Sequence, residues 1–328
     1  MPEILVTGAN GFVGSCLCSY LSEKGFTVTG LTRCSNASQT IPKSNNLKLI
    51  KIDDINELKE HPEYLINVDI VVHLAARVHI MKEMASDPLA EFRKVNVTPT
   101  STLARTAITA RVKRFIFLST IGVNGRNSGL GTDHPEPFTE KNEPAPHSPY
   151  AVSKYEAETE LKKICKDKME LTIIRPPMIY GPGVKGNCLR LLKLLDKGLP
   201  LPLGNSSNLR SFLSLENLNS FILRCCTGSK AADETFLVSD GKDVPTTEFI
   251  RMISEGLKKR SLLYPFPNSL AKGILTMAGK SGLYDQLWGS LQIDISKARN
   301  TLDWEPSCSM EEGLKETCEW YQYSRLVK

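Results

Sequence analysis

Tyr150 and Lys154 stand four residues apart behind Ser148-Pro149, and this spacing is the first in the chain that could do chemistry. Ser148 suits an N-cap and Pro149 the first helical position, which puts Tyr150 in the first turn of a helix. Residues four apart share a helix face, so the Lys154 ammonium is carried towards the Tyr150 hydroxyl. A free phenol titrates near pH ~10 and is a poor base at neutrality unless a neighbouring cation favours the phenolate. Lys154 supplies such a cation. A second stretch, Gly8, Gly11, Phe12, Val13 and Gly14, follows the apolar run Ile4-Leu5-Val6-Thr7 and precedes a helical pattern through Leu17, Tyr20 and Leu21. Strand, glycine-rich turn and helix offer backbone N–H groups and a helix N-terminus to a pyrophosphate. The spacing here is GxxGxxG rather than GxGxxG.

The elements that must hold these groups are strands alternating with helices. After the first strand come 27–33, 47–52, 69–76, 114–120 and 171–175, each nearly continuous in apolar residues, with a helical stretch from about 88 to 110. Such strands belong to a parallel sheet covered on both faces, an α/β doubly wound dinucleotide-binding (Rossmann) domain over residues 1–175. The second strand ends in Thr32-Arg33 with no carboxylate, where an acid would read a ribose 2′-OH and an arginine a 2′-phosphate. NADP(H) is therefore expected over NAD(H). His73 lies in an apolar strand and reads as structural, and the small pair Ala75-Ala76 leaves room for a cofactor to lie close. Residues 125–149, rich in Gly, Asn and Pro, read as a long loop beside the site. Beyond Arg175 the alternation stops, so residues 176–328 are expected to form mainly a smaller substrate-binding lobe, with a strand near 235–240 returning to the sheet. The stretch 264–288 is apolar and suits core packing, a lid, an oligomer surface or a membrane-touching face.

Composition narrows the partners. Lysine plus arginine exceed aspartate plus glutamate by 41 − 36 = 5 in 328 residues, a scattered excess that excludes a nucleic-acid stripe. The nine cysteines show neither a CxxC pair nor a Cys/His cluster at zinc spacing, so no metal site is expected, and the thiols suit a reducing cytoplasm. No apolar run reaches the roughly 18 residues of a spanning helix, and no basic-then-apolar leader precedes the first strand.

With the glycine turn, the strand ending in Ser119-Thr120 and the Tyr150/Lys154 pair in this order, the chain resembles the extended short-chain dehydrogenase/reductase family, and within it the UDP-glucose 4-epimerase-like enzymes and 4-keto-sugar reductases. The resemblance implies that Gly8, Gly11, Phe12, Val13 and Gly14 cradle the dinucleotide, with Thr32, Arg33 and Asp53 at its adenosine end. It also puts Leu74, Ala75, Ala76, Asn96 and Pro177 along the cofactor. Thr120, Tyr150 and Lys154 become the catalytic set, Thr120 and Tyr150 also touching substrate and Lys154 also bonding the nicotinamide ribose of the cofactor, while Asn187 and Arg210 grip the nucleotide diphosphate. Departures matter: Ile121-Gly122 replaces the Asp-Glu pair of the 4,6-dehydratases, Pro176-Pro177-Met178 stands where epimerases carry aromatic-Phe-Asn, and Tyr284-Asp285 stands near an expected second arginine before Asp294-Ile295-Ser296-Lys297-Ala298. The expected reaction is hydride transfer at C4 of a nucleotide sugar. Reduction of a UDP-4-keto-N-acetylhexosamine for surface polysaccharide is favoured, with 4-epimerisation of a UDP- or polyprenyl-diphosphate sugar as the alternative and a non-catalytic dinucleotide binder outside it. A homodimer through residues 88–110 and 149–166 is expected.

Overall fold

A computed structural model describes residues 1–33, 44–78, 87–128, 136–204, 206, 208–279 and 281–326. Part of the 125–149 loop, residues 129–135, lies outside that set. Seven parallel strands form the main sheet: β1 (Glu3–Thr7), β2 (Thr27–Thr32), β3 (Leu47–Lys51), β4 (Ile70–His73), β5 (Arg114–Leu118), β6 (Glu170–Arg175) and, much later in the chain, Glu234–Leu237. Their spatial order runs from the late strand through β6, β5, β4, β1 and β2 to β3. The direction of winding reverses between β1 and β4, and in such sheets ligands bind outside the carboxyl ends of the strands at that reversal.

Alternate side chains of each strand enter different cores. Ile4, Val6, Val28, Ile70, Val72, Ile116 and Ile174 face one cluster, while Leu5, Leu31, Val71, Phe115, Phe117, Leu171 and Ile173 face another. Burial on both faces explains why the strands read as unbroken apolar runs. The second face is covered by α3 (Thr98–Thr109) and α4 (Pro149–Cys165), on both of which α2 (Pro88–Asn96) packs, while α1 (Phe12–Glu23) lies on the first face. The stretch expected as one helix over 88–110 is two, parted at Val97, because Pro99 has no N–H to continue the ladder of α2.

After β6 the prolines Pro176-Pro177 carry the chain out of the sheet into β7 (Met178–Tyr180) and α5 (Gly186–Asp196). β8 (Leu209–Arg210) and β9 (Phe212–Ser214) follow; β9 pairs with β7 and leads into α6 (Leu215–Thr227), which packs on α1. The late sheet strand is β10, and β11 (Val244–Pro245) pairs antiparallel with β8. The rest is helical: α7 (Thr246–Gly256), α8 (Asn268–Met277), α9 (Ser281–Trp288), α10 (Ser296–Leu302) and α11 (Met310–Leu326). A third cluster joins Tyr180, Leu192, Phe212, Phe249, Ile253 and Leu314, with Phe212 and Phe249 stacked at 3.9 Å. No helix among the described residues is long and apolar enough to cross a membrane.

Candidate active site

The sequence-expected residues of the first half converge on the carboxyl edge of the sheet. Gly8 has φ +69, and a Cβ there would lie 3.0 Å from the Ala75 backbone. At Gly14 a Cβ would come within 2.2 Å of the Gly8 carbonyl oxygen, so helix α1 can approach the turn this closely only without a side chain. The Gly11 N–H closes the turn onto the Gly8 carbonyl at 2.8 Å. Gly11 caps α1 with no side-chain bond, and the first turn holds no acid, so α1 directs its N-terminal N–H groups and positive dipole end at the mouth of the turn. That donor set fits a dinucleotide diphosphate. Val13 packs on the sheet core, while Phe12 packs on the third cluster, beside Gly183.

The ends of β1 and β4 are locked together by a chain of hydrogen bonds. The Thr7 hydroxyl accepts from the N–H groups of Leu74 and Ala75 at 3.2 and 3.1 Å, and its own proton goes to His73 Nδ1 at 2.7 Å. The ring proton then sits on Nε2, which bonds Thr100 Oγ1 at 2.8 Å, and Thr100 donates to the Asn96 carbonyl at 2.7 Å. Burial drops His73 to about 3, so it stays neutral and serves as structure. Asn96 is buried and its side chain is taken: Oδ1 accepts from the Arg77 N–H, and Nδ2 donates to the Arg77 carbonyl and to Ser153. It therefore ties the Leu74–Arg77 segment to α4.

At the other side of the reversal, the Ile52 N–H bonds the Thr32 carbonyl at 2.9 Å and brings the ends of β2 and β3 together. Thr32 is buried, Arg33 is exposed, and Asp53 is exposed and pairs with Lys51 at 3.3 Å.

Ser148 caps α4 by accepting from the Ala151 N–H at 3.2 Å, which fixes Tyr150 in the first turn. Across from it, Thr120 lies two residues beyond β5 and caps the 121–123 turn, its Oγ1 accepting from the Gly122 N–H at 3.2 Å. Gly122 is packed so closely that a Cβ would lie 3.3 Å from Ala151 and 3.5 Å from Thr120 Oγ1, so the Thr120 turn abuts the first turn of α4. The Tyr150 ring packs at 6.0 Å from Phe92. Lys154, 2% exposed, rests its Nζ 3.8 Å over the Phe117 ring. Desolvation dominates both groups: it pushes the half-buried Tyr150 phenol up to about 12 and Lys154 down to about 7.

One turn below Lys154 lies a group that local spacing did not reveal. Glu158 is buried and takes a two-pronged pair from Arg175, at 3.0 and 2.5 Å. Ser119 donates to the same carboxylate, and Arg175 also reaches Asn124 Oδ1 at 2.8 Å. The network clamps the ends of β5 and β6 and the 121–124 turn to α4. The buried Pro177 follows directly, and the Pro176 carbonyl accepts from the Ile121 N–H at 2.9 Å.

In the second half, Asn187 lies exposed in the first turn of α5. Arg210 donates to the Gly289 carbonyl at 2.7 Å, and burial lowers its guanidinium to about 10, which leaves it a cation at neutral pH. Asp285, in the place where an arginine was expected, pairs with Arg126 at 2.7 Å. No group of three or more potential metal ligands occurs among the described residues.

Comparison with known proteins agrees with this arrangement. The chain is 41% identical to a UDP-glucose 4-epimerase of Vibrio cholerae over 322 residues, covering 97% of this chain and 95% of that one. It resembles the structure of a UDP-glucuronic acid 4-epimerase from Bacillus cereus in complex with NAD, with TM-score 0.79 and 22% identity over 98% of this chain and 96% of the other. The UDP-glucose 4-epimerase of Thermotoga maritima, solved with UDP-glucose, matches with TM-score 0.77 and 25% identity over 98% and 99%. The profile of the NAD dependent epimerase/dehydratase family matches residues 4–238, the span that holds the glycine turn, Thr120, Tyr150 and Lys154, and the chain belongs to that family.

Proposed function

We propose that the protein interconverts the C4 epimers of a UDP-linked hexose or N-acetylhexosamine while retaining NAD. The observation that carries this reading is the 41% identity, over nearly the full length of both chains, to a UDP-glucose 4-epimerase. It turns the expectation from net reduction to epimerisation. When bound, NAD takes up and returns the hydride at C4. The protein's own part is acid/base and positional: Tyr150 removes the proton of the C4 hydroxyl and later returns it, and the Thr120 hydroxyl donates to the same oxygen. Because burial alone raises the phenol, its use as a base relies on charge gathered around it, to which protonated Lys154 and an oxidised nicotinamide both contribute. Gly8, Gly11 and Gly14 with the α1 N-terminus hold the diphosphate of the dinucleotide; Thr32, Arg33 and Asp53 meet its adenosine. Residues 176–328, apart from β10, act as the substrate lobe, where Arg210 and Asn187 face the sugar's diphosphate, and α2, α3 and α4 form the contact of a homodimer.

A second reading, NADPH-dependent reduction of a UDP-4-keto sugar, is favoured by one observation: the exposed Arg33 just after β2, with no acid next to it in the sequence. Denaturing the purified protein and identifying any released dinucleotide separates the two. Co-purified NAD, with conversion of UDP-glucose to UDP-galactose or of the N-acetyl pair and no added cofactor, is the expected result. A protein that releases no dinucleotide, binds NADPH at least tenfold more tightly than NADH, about 1.4 kcal/mol, and epimerises neither pair would overturn the proposal.

A further inference from the structure

Between Gly256 and Tyr284 the sequence holds no aspartate or glutamate but five basic residues, Lys258, Lys259, Arg260, Lys272 and Lys280, in a chain whose whole excess is +5. In the structure this basic stretch coincides with a concentration of exposed apolar side chains. Leu270, Ile274 and Met277 are 56%, 56% and 92% exposed and follow one another at positions i, i+4 and i+7 of α8, a single outward stripe. Only Ala271 of that helix is buried, so α8 is held by little of its own surface. Leu262 and Tyr264 are exposed too, in the segment that precedes α8, which is fixed to the body by backbone bonds between Leu201 and Tyr264 and between Gly204 and Tyr264. Lys258, Lys259 and Arg260 are exposed at the start of the segment, and Lys272 lies on the side of α8 away from the stripe. Of the acids that flank the stretch, Asp285 is paired with Arg126, and the exposed Glu255 stands against the three cations at 258–260.

An apolar helical stripe with a basic flank and no acid is the pattern of a helix lying in a membrane interface, its apolar face among the acyl chains and its lysines at anionic headgroups. We propose that α8 and the 258–264 segment dock the protein peripherally on an anionic lipid surface. The charge decides between occupants. A second copy of the chain would bring the same basic residues face to face in a two-fold contact, whereas anionic lipid neutralises them. The surface adjoins the second half of the candidate site, because α8 packs on α9 and the carbonyl of Gly289, just beyond α9, is held by Arg210. The inference does not depend on which sugar is turned over.

Flotation of the purified chain with vesicles tests it. Binding to phosphatidylglycerol-containing vesicles should exceed binding to phosphatidylcholine vesicles by about tenfold or more and weaken with salt. Leu270→Glu/Ile274→Glu should abolish flotation, and Lys258→Gln/Lys259→Gln/Arg260→Gln should remove the preference for the anionic lipid. Both variants should keep the wild-type melting temperature and turnover of a soluble UDP sugar. Equal recovery with both kinds of vesicle, no flotation at all, or a Leu270→Glu/Ile274→Glu variant that floats like wild type would overturn the proposal. So would a wild-type dimer that this double variant converts to monomer, because the stripe would then be covered by another copy.

Discussion

The carboxyl edge of the sheet and the α8 surface use their polar and apolar groups in opposite ways. At the edge, nearly every polar side chain has a buried partner: Thr7, His73, Thr100 and Asn96 form one chain of bonds, and Glu158, Arg175, Asn124 and Ser119 form another. At α8, apolar side chains stand in the open with basic ones beside them. The first arrangement fixes atoms to within a bond length, as acid/base chemistry requires. The second fixes only a face and a sign of charge, which is sufficient for a partner without defined atoms. Rigidity is thus concentrated around the site proposed for acid/base chemistry, and it comes from residues outside the proposed catalytic set.

That contrast can be broken or sharpened by measurement. Tyr150→Phe should lower turnover of the UDP sugar by about 10²–10⁴-fold while the melting temperature stays put; undiminished turnover would remove Tyr150 from the chemistry. Glu158→Gln should leave Arg175 buried against a neutral amide and destabilise the fold by up to about 3–5 kcal/mol in chemical denaturation. A change no larger than that of a surface substitution would mean the clamp is dispensable. A smaller effect is expected from Lys154. Its pKa is lower in the folded protein, so between about pH 7 and 9 the unfolded chain binds a proton that the folded one sheds, and this residue makes stability rise with pH. Relative to Lys154→Met, the dinucleotide-free wild type should therefore gain stability over that interval by at most about 1.4 kcal/mol per pH unit; parallel curves would contradict the burial of this ammonium. Least of all, Asp53→Ala should leave the denaturant midpoint within the scatter of wild type, because Asp53 and its partner Lys51 are both exposed. Its effect should show only in dinucleotide affinity.

The legible part of the site was the part built from neighbours in sequence. Ser148-Pro149-Tyr150 and Lys154 needed only helix geometry, and the glycine turn needed only a strand before it and a helix after it. Glu158 continues the same four-residue step as Tyr150 and Lys154, yet its meaning depends on Arg175 and on Ser119 and Asn124, which arrive from two other stretches of the chain. Asn96 was visible as a motif residue, but its two bonds to Arg77 and its bond to Ser153 depend on how β4 and α4 meet. The Tyr150 phenol shows a related division. Pairwise spacing reveals the cation, while the desolvation that outweighs it is set by the whole surround. The doubly wound sheet itself was readable because burial on both faces leaves unbroken apolar strands.

The edge position of β10 has a consequence in time. It pairs with β6, but Glu234 lies 234 − 175 = 59 residues after Arg175. At synthesis rates of about 5–20 residues per second, the hydrogen-bonding edge of β6 is made some 3–12 s before the strand that covers it. The nascent chain therefore carries a complete Tyr150 helix and an unprotected strand edge together. The interval before Glu234 emerges is when a chaperone, or another nascent copy, can reach that edge first.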